Sequence, residues 1–181
     1  ASEFVRELVK NYLYLAHQKE GLEPVSMLPE DMTVQDQESD SFLKYYSKDQ
    51  KRPKEKKTRA FQIRRKKKDG NHLHVHESVV SVKEVLKRSR ELGVSMTVFL
   101  TAVFLKAIHE EMSKMQEKKP IVLMVPVNLR KFFPSTSMLN FFNWIEPGYD
   151  FSKRDRSFEE VLGYTKDFFE EQLTKEKMSA H

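Results

Sequence analysis

The 181-residue sequence contains no cysteine, few glycines and no long apolar run. The absence of cysteine excludes disulfides, thiolate nucleophiles and cysteine-based zinc sites. The five glycines, Gly21, Gly70, Gly93, Gly148 and Gly163, are too far apart to form a glycine-rich phosphate-binding loop. No stretch approaches the ~18 consecutive apolar residues of a transmembrane helix, and the first residues do not resemble a signal peptide. We therefore expect a cytoplasmic protein that does not span a membrane.

The charge of the chain is concentrated in one segment. The sequence has 32 Lys and Arg against 27 Asp and Glu, which gives a net charge of +5. Residues 1–47 carry four basic and nine acidic side chains, whereas residues 48–68 carry twelve basic and two acidic ones. Residues 69–181 balance at 16 of each sign. All of the excess positive charge therefore lies in residues 48–68, called here the basic block.

The basic block has three interpretations. Lys and Arg bind nucleic acid by releasing the counterions of its phosphates, and stacking aromatics usually stand among them. Here Phe61 is the one aromatic residue between Lys51 and Lys68, and its alternation with Ile63 directs it toward a core. A solvated charge run is therefore favoured over a nucleic-acid or acidic-partner binding module. The third possibility is a basic rim for a phosphorylated small molecule such as coenzyme A.

The first third of the chain combines a helix with a long irregular segment. Apolar residues recur at helical spacing over residues 4–15, and Gly21 with Pro24 ends the pattern. Residues 21–58 lack a sustained period and contain three prolines. Because loops of that length are unusual inside a compact domain, we predict a linker with one short helix near residues 42–46.

The next segment predicts a hairpin followed by two helices. Residues 60–63 and 73–79 alternate as strands on either side of a turn. A helix over residues 82–92 ends at Gly93, the expected position of a left-handed residue. Ser95 then caps a helix that is apolar on all sides until Glu110, which predicts a helix buried in the centre of the domain.

Two further strands and a helix complete the pattern. The continuous apolar run at residues 121–125 is typical of a strand covered on both faces, and residues 138–145 predict another strand. Ser157 and Glu160 form a capping box at the start of the last helix. The order of elements predicts an α/β or α+β layered sandwich, in which helices flank a mixed sheet.

Three histidines raise the question of a metal site. His72, His74 and His76 alternate along a predicted strand, so they project from one face at intervals of about 6–7 Å. Two such residues can share a zinc ion if a third ligand comes from elsewhere. The sequence places no such ligand nearby, and a solvated hairpin face is the favoured interpretation. We predict no metal site.

Four polar residues in the strand region stand out. Asn128 and Arg130 follow the first predicted strand, and Asn140 and Asn143 lie within the aromatic second one. An amide in such a strand must find partners, because an unsatisfied buried polar group costs about 1–3 kcal/mol. On residue chemistry alone, an amide that ties a strand edge to a loop is favoured over a ligand contact.

Residues 125–130 followed by residues 139–144 resemble the chloramphenicol-acetyltransferase-like superfamily. The likeness is greatest to its bacterial alcohol-acetyltransferase-like and peptide-synthetase condensation-domain branches. In these proteins a strand ending in a small basic loop leads to a strand with a Gly-x-Phe-Val-Asn-like signature. Phe141 and Asn143 match this signature, whereas Leu139 replaces its glycine.

Other segments resemble the same superfamily. The turn Gly93-Val94-Ser95 is similar to the family's turn before its central helix, and the likeness covers most of residues 59–175. Residues 3–12 resemble the helix that follows the catalytic His-His-x-x-x-Asp-Gly motif. No His here is followed four residues later by Asp-Gly, and Arg65 stands in that position before the sole Asp-Gly. We therefore expect the C-terminal portion of a longer enzyme, inactive on its own.

The resemblance implies that the chain is one half of the two-lobed fold of acyltransferases that use coenzyme A. Residues 1–20 would be a helix of the upstream lobe, residues 21–58 a linker, and residues 59–181 the C-terminal lobe. The upstream lobe is the implied partner. An isolated half exposes the apolar surface meant for its partner, so we also expect self-association.

The resemblance further implies acyl transfer from acyl-CoA or a carrier-bound thioester to an alcohol or amine, without a covalently bound cofactor. Asn143, with Asn140, Asn128 and Arg130, would line or brace the substrate channel. The catalytic His of the family deprotonates the acceptor, and no residue of this chain takes that role. His109, near the polar end of the apolar helix, is interpreted as structural.

Overall fold

The computed structural model describes residues 2–17, 33, 35, 38–46, 58–63 and 77–179. Within these ranges the chain forms helices and two small antiparallel sheets, which confirms the predicted mixed α/β class. The helices are α1 (Ser2–Ala16), α2 (Ser41–Tyr45), α3 (Val82–Glu91), α4 (Met96–Glu110), α5 (Phe158–Gln172) and α6 (Lys175–Ser179). The strands are β1 (Ile121–Val122), β2 (Val125–Asn128), β3 (Phe142–Ile145) and β4 (Gly148–Tyr149). Two 3-10 turns lie at Gln116–Lys118 and Leu129–Lys131.

The described residues form two compact units. The first unit takes the described residues that fall within 1–52, 126–143 and 175–181, and the second takes those within 53–125 and 144–174. The predicted division into residues 1–20, 21–58 and 59–181 stays a prediction. No single helix in the described ranges is long and apolar enough to cross a membrane.

α1 confirms the first predicted helix, and it carries exposed apolar side chains. Tyr12 is 68% exposed, and Leu8 and Leu15 are more than half exposed. Helices of folded proteins normally bury such a stripe against another element. The exposed residues, called here the α1 face, are Val5, Leu8, Val9, Tyr12, Leu13 and Leu15.

The turn between α3 and α4 is built as the sequence predicts. Gly93 has a φ of +66°, the left-handed conformation that glycine adopts without strain. Ser95 caps α4, since its hydroxyl accepts a hydrogen bond from the N–H of Val98 at 3.3 Å. These local signals place the two helices one directly after the other in the second unit.

α4 is buried on one side only. Its residues Ala102 and Leu105 are fully buried, and the helix packs against α5. On its other side Val103 and Phe104 are exposed, Phe104 by 58%. The prediction of a helix buried all round was therefore wrong, because apolar composition alone does not show whether a second layer covers each face.

α5 begins at the predicted cap. The Ser157 hydroxyl accepts a hydrogen bond from the N–H of Glu160 at 3.4 Å. The N–H of Ser157 donates to the Asp155 carboxylate at 2.6 Å. Asp155 thus fills the role that the capping-box pattern gives to the side chain of Glu160.

The strand predicted at residues 121–125 is interrupted. β1 pairs antiparallel with β4, with Ile121 opposite Tyr149, whereas β2 pairs with β3. Between β1 and β2 the N–H of Leu123 donates to the carbonyl of Pro147 at 3.0 Å. Met124 is 71% exposed. The prediction of one strand covered on both faces was wrong, because no described residue forms a layer over Met124.

The predicted hairpin strand at residues 60–63 does not form. The N–H of Phe61 donates to the carbonyl of Pro120 at 2.8 Å. Proline has no N–H, so Pro120 cannot return a hydrogen bond and continue a ladder. Residues 64–76, which contain His72, His74 and His76, and most of the basic block lie outside the described residues, so their interpretations stay predictions.

The strand predicted at residues 138–145 is half as long as expected. Only Phe142–Ile145 forms β3, and Asn140 lies in the coil before it. The carbonyls of Ser137 and Leu139 accept hydrogen bonds from Arg130 instead of a neighbouring strand. Of these two carbonyls, that of Leu139 lies within the predicted strand, and its bond to Arg130 replaces a ladder bond there.

Candidate functional site

Arg130 organises the loop between β2 and β3 in the first unit. The Asn128 side chain accepts a hydrogen bond from the Arg130 N–H at 3.1 Å and caps the 3-10 turn that follows β2. The Arg130 guanidinium then donates from Nη2 to the carbonyls of Ser137 and Leu139, at 2.5 and 2.9 Å. One side chain therefore closes the loop, and the predicted residues Asn128 and Arg130 act together.

The Arg130 guanidinium keeps donors for a ligand. It has five N–H groups, of which Nη2 carries two. The other three have no hydrogen-bond partner among the described residues. The Arg130 side chain also lies over the Phe141 ring, with 6.0 Å from Cζ to the ring centroid. A positioned guanidinium with unused donors is suited to binding substrate oxygen atoms.

Asn143 and Asn140 have different surroundings. Asn143 is 1% exposed, and its Nδ2 donates to the carbonyl of Met178 at 3.4 Å. Asn140 is exposed in the coil before β3. Asn140 therefore lies on the surface, directly after Leu139, whose carbonyl Arg130 binds. Asn143 instead joins β3 to α6.

The short helix α2 confirms the prediction near residues 42–46, and it packs against this loop. The Tyr45 hydroxyl donates to the carbonyl of Pro134 at 2.6 Å. The Tyr45 ring lies 5.1 Å from the ring of Phe133, and the Phe42 ring meets Phe141 edge-on at 5.2 Å. Aromatic pairs of this geometry stabilise a contact beyond the area they bury. The loop is therefore held from two directions, by Arg130 and by α2.

A crevice lies beside these rings within the first unit. It is lined by Phe42, Tyr45, Tyr46, Leu129, Phe133, Phe141, Met178 and Ser179. Its volume is about 10 Å³, close to what one water molecule needs. An acyl chain does not fit, so this crevice is not a substrate pocket in this structure.

The second unit contains a buried histidine, the residue that the sequence pattern indicated as structural. His109 Nε2 lies 3.2 Å from the Glu117 carboxylate, and Arg156 binds the same carboxylate at 2.8 Å. The His109 ring lies flat on Phe151, with 3.8 Å between ring centroids and 9° between planes. Nδ1 of His109 has no partner among the described residues, yet it is buried. A substrate cannot contact this nitrogen, so the structure supports the structural interpretation.

Two ionisable groups at the end of β4 have shifted pKa values. Burial raises the pKa of Tyr149, with the nearby Glu160 charge adding to the effect. Burial also acts to raise the pKa of Asp150, but hydrogen bonds from Ser152 and Lys153 outweigh it and hold the pKa below its usual range. Both shifts move away from neutrality. Neither group is therefore suited to general acid–base catalysis near pH 7.

Several of these contacts have no signature in the sequence. The bond from Tyr45 to Pro134 joins residues 89 positions apart, and the bond from Asn143 to Met178 joins residues 35 apart. By contrast, Asn128 and Arg130 are only two positions apart, so their hydrogen bond could be predicted from the sequence. The role of each predicted residue toward a substrate stays a prediction.

The comparisons with known proteins give one match. The sequence model of the family described as alcohol acetyltransferase matches residues 22–160. No curated protein and no solved structure matches the chain. The match covers more than three quarters of the 181 residues. It includes all four predicted site residues, Asn128, Arg130, Asn140 and Asn143.

Proposed function

Because the chain belongs to the alcohol acetyltransferase family, we propose that it forms one lobe of an enzyme that transfers an acyl group from coenzyme A to an alcohol. The acceptor oxygen attacks the thioester carbonyl carbon, a C–O bond forms and the C–S bond breaks. A general base takes the acceptor proton, and the leaving thiolate is protonated to free coenzyme A. The family match over residues 22–160 carries this proposal.

We assign the general base to an upstream lobe. The sequence has no His-x-x-x-Asp-Gly motif, and the buried His109 is inaccessible to a substrate. The α1 face supports this assignment, since an apolar stripe that the described residues leave exposed is suited to packing against another lobe. The catalytic centre would then be completed where that lobe meets this one.

Within this lobe, Arg130 is the residue best suited to contact the substrate. Its three unused N–H donors can bind oxygen atoms of the thioester substrate, and its position is fixed by two main-chain carbonyls. Asn140 is exposed and directly follows Leu139, whose carbonyl Arg130 binds, so its amide is a second polar group for the substrate. Asn128 and Asn143 serve as positioning residues, because both side chains bond to main-chain atoms of this lobe.

The test is an acyl-transfer assay of the protein encoded by the complete reading frame. Release of free thiol from acetyl-CoA would be followed with a panel of alcohols and amines. We expect ester formation that is lost when the motif histidine is replaced by Ala. Arg130→Lys should raise the KM for acyl-CoA by about tenfold, because a lysine cannot bridge two carbonyls and still offer a planar set of donors.

Lys131→Ala is the matched control, since Lys131 is an adjacent exposed cation that makes no assigned substrate contact. The KM of this variant for acyl-CoA should stay within about twofold of the wild-type value. That change is well below a tenfold one, which corresponds to about 1.4 kcal/mol. A complete reading frame without the histidine motif would contradict the two-lobe proposal. Equal KM values for Arg130→Lys and Lys131→Ala would remove Arg130 from the substrate site.

The α1 face also supports the expected self-association of this chain when the upstream lobe is absent. An apolar stripe of six side chains favours pairing with any similar surface. Light scattering at rising protein concentration should give a mass above that of one 21.4 kDa chain. A monomeric mass at high concentration would contradict this expectation, and replacement of Leu8 and Tyr12 by Ser should restore a monomer if α1 is responsible.

A further inference from the structure

An open groove runs along α3 in the second unit. It has a volume of about 550 Å³ and is lined by Lys83, Leu86, Lys87, Arg90 and Glu91. Glu91 is already paired with Arg88 at 3.2 Å. The three cations that line the groove, Lys83, Lys87 and Arg90, are exposed and form no ion pair with another described residue.

The three cations share one side of the helix. Positions i, i+4 and i+7 lie on the same face of an α-helix. At 1.5 Å per residue, Lys83 and Arg90 are about 10 Å apart along the helix axis. Like charges at this spacing repel one another. A ligand with several anionic groups distributed over a similar length would remove that repulsion.

The dimensions favour a small phosphorylated ligand over a macromolecule. Small-molecule sites have volumes of roughly 300–1,000 Å³, a range that includes this groove. Stable macromolecular interfaces use roughly 20–30 residues on each side, far more than the five described residues that line the groove. Leu86, half-buried between the cations, adds an apolar contact for an organic group.

We propose that the α3 groove binds the phosphate groups of a coenzyme A thioester. Lys83, Lys87 and Arg90 would contact the diphosphate and the ribose 3′-phosphate. This site rests on the proposed function, because acyl-CoA is the donor of that reaction.

The experiment measures binding of adenosine 3′,5′-bisphosphate and of coenzyme A to the 181-residue chain by calorimetry. Replacing both lysines, Lys83→Glu with Lys87→Glu, should weaken binding of either probe by about tenfold or more, because two charge-assisted hydrogen bonds to phosphate are replaced by repulsion. The neutral pair Lys83→Gln with Lys87→Gln should give a smaller loss, and it replaces the charge-reversed pair if the latter fails to fold.

The matched control is Lys114→Glu with Lys166→Glu. It changes the net charge by the same amount at exposed positions outside the groove. Its affinity should stay within about twofold of the wild type. Equal weakening by the two pairs would overturn the proposal, because only overall charge would then matter. Failure of the wild-type chain to bind either probe at low salt would overturn it as well.

Three further outcomes are decisive. Tight binding of a single-stranded oligonucleotide that the groove variants abolish, without binding of the bisphosphate, would make α3 a nucleic-acid surface and overturn the proposal. If the complete protein forms esters with an unchanged KM for acetyl-CoA in the Lys83→Glu, Lys87→Glu variant, the groove proposal fails and the proposed function stands. If the complete wild-type protein forms no ester but the 181-residue chain still binds the bisphosphate through the groove, the proposed function fails and the site stands.

Discussion

The side-chain amide of Asn143 donates to the main-chain carbonyl of Met178 at 3.4 Å, and both residues are 1% exposed. The bond connects β3 to α6 within the first unit. A buried amide that lost its partners would be left without compensation from water. Asn143 therefore stabilises the arrangement of two elements, and any influence it has on a substrate is exerted through the position of β3.

Replacing Asn143 by Ala should lower the free energy of unfolding by about 1–3 kcal/mol, because the Met178 carbonyl would be buried beside a cavity. Denaturant titration followed by circular dichroism measures this loss. Asn140→Ala serves as the control, since Asn140 is exposed. Its effect should stay within about 0.5 kcal/mol. Similar losses in the two variants would show that Asn143 is not a tie between β3 and α6.

Glu117 should be the most sensitive acidic residue of the second unit. It accepts from both His109 and Arg156, and its side chain is only 15% exposed. Glu117→Ala removes both bonds and should reduce the unfolding free energy by about 1–3 kcal/mol. Glu110→Ala, which loses one exposed contact to Lys106 at 3.9 Å, should cost about 0.5 kcal/mol or less. A Glu117 variant as stable as the Glu110 variant would contradict the network.

Two glycines should respond to alanine with opposite signs. At Gly93 the φ of +66° makes any Cβ strained, although space is available. Gly93→Ala should therefore destabilise the protein by about 1–2 kcal/mol. Gly163 lies inside α5, and no neighbouring atom lies within 4 Å of the position that an alanine methyl group would take. Gly163→Ala should therefore stabilise the protein by up to about 1 kcal/mol. Thermal unfolding of the two variants measures both signs, and a shift in the same direction would contradict the expectation.

Acid should remove part of the stability that Asp150 provides. Its pKa in the folded chain is held below the ordinary value by hydrogen bonds from Ser152 and Lys153, despite burial. The stabilisation is thus fully present above the unfolded pKa of about 3.9 and is lost as the pH falls through the folded pKa. The difference in unfolding free energy between wild type and Asp150→Asn should shrink from pH 6 toward pH 3. A difference that stays constant over that range would argue against it.

The helices could be predicted because their signals are local. Gly93, Ser95 and Ser157 each act on backbone atoms no more than four residues away. The strands could not be predicted as well, because a ladder needs partners from distant segments. The Arg130 side chain binds the Leu139 carbonyl inside the predicted strand, and Pro120 cannot return a bond to Phe61.

The candidate site shows the same division between near and distant contacts. Asn128 and Arg130 are two positions apart, so the capped turn they form was within reach of sequence reasoning. The hydrogen bonds from Tyr45 to Pro134 and from Asn143 to Met178 join distant segments, so they could be seen only in the folded chain. The α3 cations were visible as charges, but only the helix geometry places three of them along one groove.

The loop closed by Arg130 tolerates changes of residue type at position 139. Leu139 stands where the superfamily signature has glycine, yet no residue other than glycine has a positive φ in the described chain. It contributes main-chain atoms to the loop, a carbonyl to Arg130 and an N–H to the Ser137 hydroxyl, while its side chain is 51% exposed. Most amino acids supply these atoms equally well, and proline does not. Sequence drift at this position therefore leaves the loop intact, whereas the arginine across from it has no equivalent replacement.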